Sequence, residues 1–336
     1  MKSRDLVKDA LEFKRPEKIP RQLWTLPWAE TRYPETLEKI HTEYPDDIVL
    51  APPYYRQKLP QIGERYKIGF FTDEWGCKFN NLQDGIHGEI KEPLIKTWSD
   101  IGKVHIPEER LSINIDKINE YCNNTDKFIL PDTLQRPFER MQFLRRTDNL
   151  FIDLIEQPRE FKKLIGEIHE FYKEEIKIWS KTKVDGIFIM DDWGAQNNLL
   201  VNPKLWRRLF KPMYKDYINI AHQNGKYAFM HSDGYTLAII PELIEIGLDA
   251  FNTQLFCMNI EEIGEKFKGK ITFWGEIDRQ RLLPNGSIKD IDQAVERVYE
   301  NLYADGGVIA QCEFGPGARP ENVLEVYKAW DSYKLE

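Results

Sequence analysis

Lys226–Gly234, KYAFMHSDG, is the stretch on which the fold turns. Its first five residues are apolar or aromatic apart from the leading lysine, which suits a short strand buried on both faces of a parallel sheet. The segment then passes into small polar residues and a glycine. His231 and Asp233 lie two apart, so persisting strand geometry points both to one side. An imidazole beside a carboxylate at the C-terminal end of a strand is where an α/β barrel places its chemistry. The plainer reading is a histidine satisfied by a turn aspartate.

Working outward, the same pattern repeats on either side. Upstream, Gly186–Met190 (GIFIM) reads as a strand closing on Asp191 and Asp192. Pro203–Asn224 follows as a helix, opened by proline after the capping residue Asn202. Downstream come the strands Ala250–Gln254, Ile271–Ile277 (ITFWGEI) and Val308–Cys312. Helices at Pro241–Gly247, Ile260–Phe267, Ile288–Tyr303 and Pro320–Tyr333 alternate with them. Strand–helix alternation with short turns implies a parallel sheet. Five successive units favour a closed (β/α)₈ TIM-type barrel. An open doubly wound sheet is the alternative, weakened because no GxGxxG or GxxxxGK[ST] follows any strand.

The first half is less regular. Ser3–Phe13 reads as an amphipathic helix, Arg21–Trp28 as a strand and Pro34–Tyr44 as a helix. Residues 45–95 carry two proline-rich corners and alternating runs at Tyr66–Thr72, Glu74–Phe79 and Gly88–Lys91, which suggest hairpins. Ile113–Asn123 is helical, Lys127–Leu130 a short strand, and Gln135–Arg145 and Pro158–Thr182 are helical. Residues 1–110 are expected to elaborate the barrel, making 1–336 a single domain. Of the aromatics here, Trp24, Trp28, Tyr54, Tyr55 and Trp75 either pack the loops onto the barrel or wall a substrate pocket.

Composition narrows the function. The 336 residues carry a formal charge of −8, which argues against nucleic acid as a partner. No apolar run nears the ~18 residues of a membrane span, and the N-terminus has no signal-peptide core. A cytoplasmic protein is expected. Cys77, Cys122, Cys257 and Cys312 are scattered and form no CxxC pair, so neither a disulfide framework nor a zinc knuckle is indicated.

The strand ends hold the chemistry: Asp191 and Asp192, His231 and Asp233, Asn252 and Gln254, Glu276 and Asp278, Cys312 and Glu313. Asp191, Asp192 and Asp278 could equally cap the helices that follow. In a barrel, strand ends converge on one mouth, so Asp191, His231, Gln254, Glu276 and Cys312 are expected to share a cavity. His231, Asp233 and Cys312 make a chemically sensible zinc site, with Glu276 as an alternative third ligand. Without metal, Cys312 could act as a nucleophile with His231 as base. Asp191, Asp192, Glu276 and Gln254 remain as catalytic candidates.

The segments TDEWGCKF, FIMDDWGAQNNLLVNPKLWRRLFKP, KYAFMHSDGYTLAIIPELIEIGLDAFNTQ and ITFWGEIDRQRLLPNGS together resemble the uroporphyrinogen decarboxylase family. That superfamily includes zinc- and corrinoid-linked methyltransferases. The resemblance covers nearly the whole chain and is strongest from Gly186 to Lys328. It implies a single TIM-type barrel. The decarboxylases carry an MRQAGRY segment where this chain has RQLWTLPWAE, and a GHGI-like stretch where it has EFGPGAR. The methyltransferases hold zinc by HxC after one strand and a cysteine after the last; His231 and Cys312 match, and Asp233 stands for the first cysteine. The resemblance therefore implies metal-assisted transfer of a methyl group from a small O- or N-methyl donor to a corrinoid (cobalamin) protein partner. This chain lacks the DxHxxG cobalamin signature. Porphyrinogen decarboxylation and a non-catalytic binding barrel are the alternatives.

Overall fold

The computed structural model describes residues 1–132 and 135–333. Ten strands are present among them: β1 Arg21–Thr25, β2 Ile48–Ala51, β3 Gly69–Thr72, β4 Lys78–Asn81, β5 Phe128–Pro131, β6 Gly186–Met190, β7 Tyr227–Ser232, β8 Ala250–Thr253, β9 Thr272–Trp274 and β10 Val308–Phe314. Six form one parallel sheet in the order β1-β10-β9-β8-β7-β6. A flat sheet of that width would hold its edge strands roughly 24 Å apart. Instead Trp24 of β1 meets Phe188 of β6 with ring centroids 6.0 Å apart. The sheet is therefore curled, and its two edges face one another.

Where a closed eight-strand ladder is expected, the parallel ladders among the described residues are this six-stranded half-barrel and a separate pair, β2-β5. The pair stands across the opening. On one side Asp47 N donates to Arg21 O at 2.8 Å, and on the other Asp185 N donates to Ile129 O at 2.8 Å. Phe128 of β5 packs on Phe229 of β7 at 5.4 Å. Ladder pairing stops at these seams because aspartate side chains take the backbone donors: Asp46 accepts from Leu23 N, Asp47 from Arg21 N and Asp185 from Ile129 N.

Two cores result. The inner one joins Ile48, Phe128, Leu130, Phe188, Phe229, Ala250, Trp274 and Ile309 with Val7 and Leu11. Those last two come from the helix Ser3–Leu11, which lies at the end where strands begin: Gly307 N donates to Ala10 O at 2.8 Å. The outer core fills the space between strands and helices. Segment 203–224 is two helices, Pro203–Leu209 and Lys211–Gln223, because Pro212 supplies no N–H to continue the ladder. The run from Arg21 leaves the sheet at Thr25 and turns helical at Pro27–Arg32. β3 and β4 form the antiparallel hairpin expected near residues 66–79. Among the described residues no helix is long and apolar enough to cross a membrane.

Candidate functional site

Inner-face residues can be counted outward in steps of two from the inner core. Phe188 leads through Met190 to Asp192, Phe229 through His231 to Asp233, Ala250 through Asn252 to Gln254, Trp274 to Glu276, and Ile309 through Gln311 to Glu313. These ends form one polar mouth above an aromatic floor. Trp24 belongs to that floor, with its ring 5.2 Å from His231. Trp75 instead packs on Phe171, and Trp28 on Tyr33.

Two loops bring the acids together. Gly194 N donates to Asp233 O at 3.0 Å. A Cβ at Gly194 would lie 2.3 Å from Tyr235 N, and one at Gly234, whose φ is +76°, would lie 2.3 Å from Gly194 O. Only glycine permits this backbone approach. It places Asp192 beside Asp233, whose backbone N–H donates to Asp192 Oδ1 at 3.0 Å.

His231 is held on both sides. Asn252 Nδ2 donates to the Trp274 carbonyl, which leaves Asn252 Oδ1 facing His231 Nδ1 at 2.5 Å. Nδ1 therefore carries the proton, and Nε2 points at Asp233 Oδ1, 3.3 Å away, and Asp192 Oδ1, 3.5 Å away. Burial alone would lower the imidazolium pKa; Asp233 and Asp192 outweigh it and raise it to about 9. Burial pushes the Asp233 carboxyl up, but His231 and Arg279 win and hold it below the usual carboxylate range. Gln254 Nε2 donates to Asp233 Oδ1 at 3.0 Å while its Oε1 accepts from Gly234 N.

Arg279, which the strand-end reading missed, joins the acids. Its guanidinium bonds Asp233 Oδ2, donates to Glu313 Oε1 at 2.9 Å and lies 3.8 Å from Glu276. The available signal was its place three residues after Glu276 in GEIDR, a cation that turns back on its own strand end. Glu276 is 2% exposed, and its Oε1 has no hydrogen-bond partner among the described residues. Burial raises its pKa to about 8 against the opposing pull of Arg279.

Two expected members lie elsewhere. Asp191 is one residue out of step and turns into the helical layer. Its carboxylate accepts from Phe138 N at 2.9 Å, Glu139 N at 2.7 Å and Tyr214 Oη at 2.7 Å, so it caps the helix Pro137–Arg145. Cys312 also faces outward, buried with its Sγ 3.7 Å from Tyr327 Oη, and burial raises its thiol pKa to about 12. The sulfur is not brought to His231, so the set His231, Asp233, Cys312 does not assemble. Among the described residues, Asp192, His231 and Asp233 do: one ligand atom from each lies within 4.8 Å of the others. One imidazole nitrogen and two carboxylates suit zinc, which accepts N and O donors, and the Nδ1–H held by Asn252 is the support a metal-ligating histidine needs.

The chain matches the family described as Uroporphyrinogen decarboxylase (URO-D) over residues 66–333. No curated protein matches it. Among solved structures it is similar to a methyltransferase from Methanosarcina mazei, with a TM-score of 0.71, 15% identity and 99% of each chain covered. At that identity the likeness establishes a shared fold.

Proposed function

We infer, from a chain that belongs to the uroporphyrinogen decarboxylase family, a metal-assisted methyltransferase that moves a methyl group from a small O- or N-methyl donor to the cobalt of a corrinoid protein. The observation that carries this reading is the Asp192–His231–Asp233 group at the mouth of the curled sheet. The fold shared with the Methanosarcina methyltransferase supports it. On this reading the β2-β5 pair completes a (β/α)₈ barrel, and residues 1–336 act as one cytoplasmic domain.

His231 Nε2 and the Asp192 and Asp233 carboxylates would hold the zinc ion, with Asp192 taking the place expected for Cys312. When bound, the metal polarises the heteroatom that carries the methyl group. Asn252 keeps the imidazole tautomer and ring orientation fixed. Gln254 and Arg279 fix the rotamer of Asp233. Glu276, with a pKa near 8, holds a proton close to the mouth while no bound cation pairs with it, and can then give it to the departing oxygen or nitrogen. In the transfer the C–O or C–N bond breaks with its electron pair left on the heteroatom, the methyl carbon bonds to cobalt(I), and the heteroatom takes up the proton.

Decarboxylation of a polycarboxylate tetrapyrrole fits less well. Such a substrate needs several unpaired cations, and the mouth presents Asp192, Asp233, Glu276 and Glu313, with Arg279 already paired to them. The test is metal analysis together with a cobalt assay. About one zinc per chain, lost in His231→Ala, and donor-dependent conversion of cob(I)alamin to methylcobalamin are expected. If methanol, methylamines and methoxyarenes all leave cobalt unmethylated, the transferase reading falls.

A further inference from the structure

Beneath the mouth is a set of polar atoms that the metal group does not use. Glu276 Oε1 and both side-chain polar atoms of Gln311 are buried with no hydrogen-bond partner among the described residues. Glu276 is 2% exposed and Gln311 fully buried. The two lie on neighbouring strand ends: Trp274 pairs with Ile309, and a Cβ at Gly275 would lie 2.3 Å from Gln311 Oε1. Buried polar groups are ordinarily paired, and leaving three unpaired costs more than a well-packed apolar alternative. Glu276 borders a partly open space of about 20 Å³ shared with Gln254, Cys257 and Arg279. That volume admits one small polar group.

Charge narrows what that group can be. Asp192, Asp233, Glu276 and Glu313 stand at the mouth with Arg279 and His231 at ion-pair distance from them, and Asp278 and Arg281 also line the space beside Glu276. Arg279 bonds Asp233 and Glu313 and reaches Glu276 only at 3.8 Å. Glu276 thus has no hydrogen-bonded counter-charge among the described residues, and an arriving cation with an N–H to donate would satisfy its free oxygen. The Trp24 ring beside His231 adds an aromatic face of the kind cations favour.

We propose that Glu276 and Gln311 form a subsite for the protonated nitrogen of an amine, so that the donor carries an ammonium group apart from the heteroatom that faces the metal group, and Glu276 determines that choice. This deepens the methyltransferase reading and rests on it for the word donor; the subsite itself is tested by binding alone.

The experiment is calorimetric titration of the zinc-loaded protein with methylammonium, dimethylammonium, tetramethylammonium and methanol, in the wild type and in Glu276→Gln. The N–H-bearing ions should bind, Glu276→Gln should weaken them roughly tenfold to a hundredfold, and its zinc content should be unchanged. Methanol and tetramethylammonium, which lack a charged N–H, should bind at least roughly tenfold more weakly. Equal binding of methanol or tetramethylammonium, or no effect of Glu276→Gln, overturns the subsite. Loss of zinc in Glu276→Gln also overturns it, because the residue then belongs to the metal group. If amines bind through Glu276 but no methyl reaches cobalt, the subsite stands and the transferase reading falls. If methyl transfer proceeds from methanol with no amine binding, the reverse holds.

Discussion

Replacing Asn252 with alanine tests whether the imidazole is held ready for a metal. Asn252 is fully buried and makes two bonds, one from its amide N–H to the Trp274 carbonyl and one from its oxygen to His231 Nδ1. The substitution leaves a buried carbonyl and a buried ring N–H unpaired, at about 1–3 kcal/mol each, and opens a small void. A total of roughly 2–6 kcal/mol is expected. Unfolding entropy of about 2.1 cal/mol/K per residue gives ~0.7 kcal/mol/K for the 336 residues. The apoprotein Tm should therefore fall by roughly 3–9 °C. Without its hydrogen-bond partner the ring can rotate or change tautomer, so zinc affinity should fall by about 10–100-fold, as for other partners of metal-bound histidines. Competition against a chromophoric chelator measures that affinity, and calorimetry of the apoprotein measures the Tm. A variant that melts lower but binds zinc as tightly as the wild type would refute the claim that Asn252 orients Nε2 toward the metal.

Cys312→Ser should leave zinc affinity within about twofold of wild type, because the sulfur faces Tyr327 and not His231; a large loss in the same competition assay would restore the thiolate as a ligand. Asp191→Ala should destabilise the fold by roughly 2–4 kcal/mol in urea titration, having removed a cap from the helix Pro137–Arg145 and the partner of Tyr214, while zinc binding persists. The His231 pKa, raised from about 6.5 to about 9, gives the apoprotein stability that is fully present below the unfolded value and is lost as pH rises through about 9. The urea midpoint should fall across that window, and His231→Gln should flatten the slope.

The second half of the fold was legible because strand and helix alternate there with clear punctuation. Gly186–Met190 and Ile260–Phe267 have the boundaries their periodicity predicts. The first half was not, for local reasons. Ile48–Ala51 is four residues long and sits between Asp47 and a proline pair, so it reads as loop, and only its pairing with Phe128–Pro131 makes it a strand. The helix Thr147–Glu156 went unread because it follows Arg146, at φ +64°, without any glycine or proline to mark the break. The seams between β1 and β2 and between β5 and β6 depend on which aspartates turn back onto the backbone, and that is fixed only once the strands are side by side.

The candidate site was legible to within one residue at each strand end, and that residue decides the chemistry. His231 and Asp233 share parity, so their pairing followed from spacing alone. Asp191 and Asp192 are adjacent, as are Gln311, Cys312 and Glu313, so only one of each pair of neighbours can face the mouth. A half-buried strand would reveal its parity by alternating polar and apolar residues. Gly186–Met190 is apolar throughout and shows no alternation, and in Val308–Phe314 the alternation is confined to the last four residues, where a cysteine stands between Gln311 and Glu313 and itself reads as a candidate ligand. The inner core supplies what the sequence could not. Once Phe188 and Ile309 are known to face inward, steps of two select Asp192, Gln311 and Glu313, and send Asp191 to a helix cap and Cys312 to Tyr327. On the proposed metal-assisted reading, the ligand set would change from nitrogen, oxygen and sulfur to nitrogen and two oxygens. That set is harder and leaves more positive charge on the ion, which favours an oxygen or nitrogen leaving atom over a thiol. On that reading the same parity that turns Cys312 away from the mouth would also narrow the substrate, through the register of β10 against β9 and β1.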